Sequence, residues 1–309
     1  MNRSLPLLAA AVVVAAVAVT GACQATRADQ PPGWKTEGPP GWQVGNPVSE
    51  AVSAPPGAAV SAQARADALA KRLGLSGRAR PAVRQRDLRD QRLVDEVTLE
   101  DAGGAATAQV TFDATTEAPL LVVRLDRPAG SENGRVDDRS APGAARTYLQ
   151  KAGLIAPAGS PRASWDPGLG TWKVSWERAI DGVPVPGDGT FVDVLPGGQL
   201  GAIAVVETPA AEAPAAPITP ARAREIALEW ASAHGLPSFA DFSASRPILE
   251  WRQANDFIEA AKPDSPEPLL RLVFAVTFSY LPQGQESPHL LVLYVDAADG
   301  SLIGGAETA

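Results

Sequence analysis

The sequence predicts an α+β fold made of repeated units of one helix packed on an antiparallel β-sheet. Two observations carry that expectation. Three runs with apolar residues near a 3.6 period each close on a Gly-Leu pair, at Gly74-Leu75, Gly153-Leu154 and Gly235-Leu236, and after each pair the apolar period shortens to 2. A glycine just past a helix accepts the left-handed conformation that ends it, and the apolar residue behind it can fold onto the last turn. The three glycines stand 79 and 82 residues apart, so the units run to about eighty residues.

The first helix is expected to present Val60, Ala64, Ala68, Leu69 and Leu73, with strands at Val94–Leu99, Ala108–Phe112 and Leu120–Leu125. In the second unit Ser140 is placed as N-cap, and Ala145, Tyr148, Leu149 and Ala152 share one face. Trp172, Val174 and Trp176 alternate with polar residues to give an inward face, and strands follow at Thr190–Val194 and Gly201–Val206. The third unit opens with Thr219 as N-cap and Pro220 at the first helical position, which puts Ala223, Ile226, Ala227, Trp230 and His234 on one stripe. Leu270–Phe278, Leu290–Val295 and Leu302-Ile303 are its strands. The units are therefore bounded at 59–135 and 140–207, together one region over 59–207, and at 218–309, with an Ala/Pro/Glu linker from Thr208 to Pro217. Nothing in the pattern decides whether the first two units share a sheet.

Ahead of the folded part, Arg3 precedes an apolar run from Leu5 to Val19 that only Pro6 interrupts. Such a run is short for a membrane span and fits the core of a secretory signal peptide, expected over 1–22. Thr20-Gly21-Ala22-Cys23 resembles the lipobox of bacterial lipoproteins, with threonine in place of the usual leucine. That resemblance implies a diacylglyceryl group on Cys23, cleavage before it, and anchoring in the lipid bilayer at the outer face of the cytoplasmic membrane. The alternative for the same residues is an ordinary signal peptide cut after Ala22. Cys23 is the single cysteine, so no intrachain disulfide can form. Residues 23–58 read as the lipidated N-terminus and a Pro/Gly-rich spacer. It contains Pro-Pro-Gly-Trp twice, ending at Trp34 and Trp42, and it would reach about 110 Å if extended at roughly 3.1 Å per residue. Loss of the leader removes one of 27 basic residues and none of the 35 acidic ones, leaving the mature chain slightly more negative than −8. An acidic chain of this kind is not expected to bind nucleic acid.

Two motifs in the later units resemble known modules. Arg178-Ala-Ile-Asp181-Gly182-Val-Pro-Val185, running on to Phe191-Val-Asp-Val194 and Gly198-Gln-Leu200, resembles the propeptide motif of fungalysin and thermolysin precursors. The helix Thr219–His234, the strand Leu270–Phe278 and Leu291-Val-Leu-Tyr294-Val295-Asp296-Ala-Ala-Asp299-Gly300-Ser-Leu302 resemble a PepSY domain. The likeness covers about residues 140–305. In peptidase precursors such modules chaperone and inhibit an adjoining zinc peptidase, and free-standing ones are thought to bind peptidases or envelope proteins, so a protein partner is implied. The peptidase itself is missing: only His234 and His289 are present, and neither lies in a zinc-binding helix motif.

No catalytic residue, metal ligand or cofactor is expected. His234 suits the last turn of a helix, where positive charge is favoured, and His289 reads as an exposed loop residue. Glu225 and Glu229 lie one turn apart beside Arg222, as on a solvated helix face. Pro186-Gly-Asp-Gly189 reads as a turn. Trp172 and Trp176 belong to the core, whereas Trp165, in a loop Ser164-Trp-Asp-Pro-Gly, is the candidate binding residue. The sequence thus predicts a non-enzymatic lipoprotein that binds a peptidase or other envelope or secreted protein by edge-strand pairing. The alternative is a receptor for a small molecule or glycan, with a pocket at Trp165.

Overall fold

The structure, a computed structural model, describes residues 49–55, 57–87, 92–126, 134, 136–255, 257–258 and 269–308. The leader expected over 1–22, the acylation site Cys23 and the repeats ending at Trp34 and Trp42 lie outside those residues.

The fold is α+β, with helices laid on antiparallel sheets. The first half contains β1 (Ser49–Ala51), α1 (Ala58–Leu73), β2 (Arg78–Ala79), β3 (Val83–Asp87), β4 (Leu93–Glu100), β5 (Ala106–Asp113) and β6 (Pro119–Arg124). It continues through α2 (Ala141–Ala152), β7 (Arg162–Asp166), β8 (Thr171–Ile180), β9 (Val183–Val194) and β10 (Leu200–Val206). β1 falls in the stretch read as spacer, so the chain already joins the sheet at Ser49. The third unit consists of α3 (Pro220–Ala233), a 3-10 turn (Leu236–Ser238), β11 (Ala240–Ala244), β12 (Ile248–Gln253), β13 (Leu270–Leu281), β14 (His289–Asp296) and β15 (Leu302–Thr308).

Helix ends follow the sequence closely. Gly74, Gly153 and Gly235 all adopt left-handed φ, near 68°, 80° and 74°. The Leu75 and Leu154 amides then donate back to Ala70 and Leu149, closing the last turns. At the other end of α3 the Thr219 hydroxyl accepts from the Arg222 amide at 3.2 Å, as a cap should. Ser140 makes no such bond. Its amide and hydroxyl donate to the Asp137 carboxylate, which fixes the turn entering α2. The face of α1 also differs from expectation. Ala62, Ala66, Leu69, Ala70 and Leu73 are buried while Val60 is 69% exposed. With alanines on every side of this helix, apolar period alone could not orient it.

The first sheet answers the question of connectivity. Its order is β1-β3-β4-β5-β6-β10-β9-β8-β7, with β2 also on β4, so the last strands of units one and two lie side by side. Leu121, Val122 and Val123 pair with Ala204, Ile203 and Ala202. α1 and α2 cover one face together, and Val97, Val110, Val122, Val174, Val192 and Ile203 beneath them form a single core. α3 covers the second sheet in the same way, over Phe274, Val276, Phe278, Leu291, Leu293 and Val295.

The two sheets meet through an arm. Asp181 and Gly182 both have positive φ, the conformation of a tight two-residue hairpin turn, and this turn joins β8 to β9. Behind it Val185 packs with Trp251 and Leu270 of the second sheet. Pro186–Gly189, read as a turn, is part of β9. Asp188 within it accepts from the Thr208 amide (2.7 Å) and hydroxyl (3.0 Å) and pairs with Arg178 (3.1 Å), so the linker is pinned at its first residue.

Ile203 is fully buried at the joint of units one and two. Ile203→Ala is expected to cost about 2–5 kcal/mol. In urea titrations followed by tryptophan fluorescence and circular dichroism, both units should lose structure in one shifted transition; separate transitions for the two would refute a shared core.

Candidate functional site

β7 is an outer strand of the first sheet, bonded to β8 on one side and to no strand on the other among the described residues. An unpaired edge of this kind offers a row of backbone donors and acceptors to an extended chain. Its sequence, Arg-Ala-Ser-Trp-Asp, alternates between the two faces. Trp165 therefore sits in a strand and not in a loop, directly opposite Trp172, with ring centroids 5.5 Å apart and planes tilted by 59°. Trp172 is anchored by its indole N–H, which donates to the Val136 carbonyl at 3.0 Å, and it packs against the core. Trp165 stays 44% exposed. A rigid, half-covered indole beside an open strand edge is a natural side-chain anchor, because few rotamers are frozen when it is covered. Trp176 is buried in the core beneath the Arg146 guanidinium, as its alternation implied.

The other face of the same strands carries charge. Ser164, Lys173 and Asp193 lie directly across from one another on β7, β8 and β9. The Lys173 ammonium, largely buried, bonds to Asp166 at 2.8 Å. That hydrogen bond holds the Asp166 carboxyl below its ordinary range. Asp193 behaves oppositely: burial pushes it up to about 6, with Lys173 pulling it down and Asp166 pushing it further up. The β7 edge is thus a strand with an aromatic anchor on one face and, on the other, half-buried carboxylates around a buried lysine.

The remaining candidates are structural. His234 ends α3, where its ring stacks on Trp230 at 3.8 Å and its Nδ1 meets the Trp230 carbonyl. Glu225 and Glu229 are solvated partners of Arg222. His289 departs from expectation: it is buried in β14, with Nδ1 at 3.3 Å from Glu307 and Nε2 at 2.5 Å from Gln285. Tyr280 donates its hydroxyl to the same Glu307 oxygen, and burial together with that carboxylate drives the phenol upward. The cluster ties the ends of β13, β14 and β15. Residues 18 and 27 apart build it, and no local pattern announces such a set.

Two clefts of about 430 and 570 Å³ are lined elsewhere, between α1 and the β5–β6 turn and beneath the linker, so Trp165 lines neither. Among the described residues no three His, Cys, Asp or Glu side chains stand together as metal ligands, and no helix is long and apolar enough to cross a membrane.

No protein-family model matches the chain, and no curated protein matches it. Several solved structures are similar, two of them as follows. The C-terminal domain of YpeB from Bacillus megaterium matches at 12% identity and a TM-score of 0.41, over 84% of this chain and 99% of that one. An uncharacterized protein from Eubacterium rectale matches at 13% identity and a TM-score of 0.35, over 77% and 80%. Likenesses this distant carry no argument about activity.

Because Asp193 is raised in the folded chain, its contribution to stability is full below its unfolded value near 3.8 and is lost as pH rises through about 6. Asp193→Asn is therefore expected to gain melting temperature over the wild type between pH 4 and pH 7.5. A difference that stays flat across that range would contradict the assignment.

Proposed function

We propose that the chain is a non-enzymatic, lipid-anchored lipoprotein that binds a peptidase or another envelope or secreted protein, using the β7 edge and Trp165. The observation that supports this reading is the open edge strand with its exposed indole. In this reading the three helix-plus-meander units are versions of one PepSY-like and thermolysin-propeptide-like unit, Cys23 carries the acyl anchor, and the protein stands on the outer face of the cytoplasmic membrane. The arrangement of the sheet suits a tethered receptor. The chain enters at β1, and β7 is the opposite end of the strand order, about 40 Å away along the sheet at roughly 4.8 Å per strand. The free edge is then far from the tether, where a partner can reach it.

The test is capture from the producing cell's envelope and culture supernatant on the immobilised chain, in wild-type form and as Trp165→Ala. A central aromatic anchor contributes about 2 kcal/mol or more, roughly a thirtyfold loss of affinity when truncated. A protein retained by the wild type and lost from Trp165→Ala, with unchanged circular dichroism, is the expected result. Equal retention by both would overturn the edge reading, and a small ligand or glycan that raises the melting temperature while no protein is retained would favour the receptor alternative.

A further inference from the structure

The last strands of the three units share one irregularity. β6 joins β5 with Pro119 opposite Phe112 and Leu121 opposite Thr111, skipping one residue. β10 joins β9 with Leu200 opposite Val194 and Ala202 opposite Asp193. β15 joins β14 with Leu302 opposite Val295 and Gly304 opposite Tyr294. Counting on from the skipped residue, Val122, Ile203 and Gly305 are equivalent positions. Val122 and Ile203 face each other at the centre of the β6:β10 pairing. Among the described residues the equivalent edge of β15 meets no further strand; its bonds on that side go to one residue.

That residue is Asn255. Its side-chain amide donates to the Gly305 carbonyl at 2.9 Å and accepts from the Gly305 amide at 3.0 Å, while its own backbone N–H donates to the Ile303 carbonyl at 2.9 Å. A primary amide bonded in both directions to one residue reproduces what an opposing strand residue offers in an antiparallel ladder. The surrounding chain wraps the edge: Ala254 packs on the Tyr294 and Ile303 side, and Phe257 on the α3 side. The strand is shaped to admit it. A Cβ on Gly304 would run into Asn255 Oδ1, and one on Gly305 would lie 2.5 Å from the Val292 carbonyl oxygen of β14 and 2.7 Å from Phe257 Cδ1. The matching position in β10 is an isoleucine.

We infer that the β15 edge is the third unit's copy of the joint that fuses units one and two, and that Asn255 blocks it against pairing with β15 of a second copy. The occupant is a second copy because this edge is built like two edges that already pair with their own kind. Both strands of such a dimer would run antiparallel with Gly305 at the two-fold axis, which closes after two subunits. The inference rests on the equivalence of the units stated above and is independent of what β7 binds.

Sedimentation velocity on the full chain in detergent, with hydrogen exchange read over residues 303–308, tests it. The wild type is expected to be monomeric. Asn255→Ala is expected to dimerise at a concentration lower by about tenfold or more, with the 303–308 amides slowed in the dimer. Asn255→Asp keeps the shape and loses the donor, and serves if Asn255→Ala fails to fold; it should shift the same way. Monomeric variants would overturn the inference, as would dimers in which 303–308 exchange freely, or a wild type already paired through β15.

Discussion

Three residue pairs between β6 and β10 hold the larger half of the molecule together. Without them each of the first two units would be a short meander with one helix on it and its last strand bare. Hydrogen bonds across so short a joint contribute only about 1 kcal/mol each after exchange with water. The larger gain is apolar. Bringing the units edge to edge lets α1 and α2 lie on one face, and residues as far apart as Leu69 and Val174 join the same core. Fully burying a side chain such as Ile203 or Val122 contributes about 1.5–3 kcal/mol, so fused cores outweigh the ladder that aligns them. The pairing sets the register; the core supplies the stability.

The third unit is attached by a different device. Rather than extending the ladder, the first sheet sends out the β8–β9 arm, whose Val185 is sealed between Trp251 and Leu270. Asp188 then fixes the start of the linker through two bonds to Thr208, and Arg178, paired with the same carboxylate, donates to the Thr208 carbonyl. A buried carboxylate is costly unless its lone pairs are filled, and here a guanidinium, an amide and a hydroxyl fill them. The parts of the sequence that resembled a propeptide motif are those that make this contact. With β6 and β10 paired to each other and the β9 arm engaged, β7 remains an outer strand, as β1 and β11 do, and it is the one that carries the exposed indole of Trp165.

How much of this was legible in the sequence depends on how local each feature is. The helix stops and the long inner strands could be read, because Gly-Leu endings and alternations such as Trp172-Lys-Val-Ser-Trp176 are written in neighbouring residues. Edge strands could not. β3, Val-Arg-Gln-Arg-Asp, and β7, Arg-Ala-Ser-Trp-Asp, have too few apolar residues to show a period, and the Asp-Pro-Gly after Trp165 looks like a loop. The β6:β10 joint joins residues about eighty apart, so alternation says only that each strand has a neighbour and not which one. Trp172 and Trp176 were placed correctly by their alternation, whereas His289 and Asn255 take their roles from Glu307 and Gly305, which no spacing rule connects to them.

The central claim is that units one and two are one cooperative sheet with an open β7 edge. Native-state hydrogen exchange on the full chain measures it most directly. The account predicts that β6 and β10 amides open together with the highest protection in this half, while β7 exchanges faster than β8. If β7–β10 exchanged through an opening that left β4–β6 protected, the two units would be separate bodies and the account would be wrong.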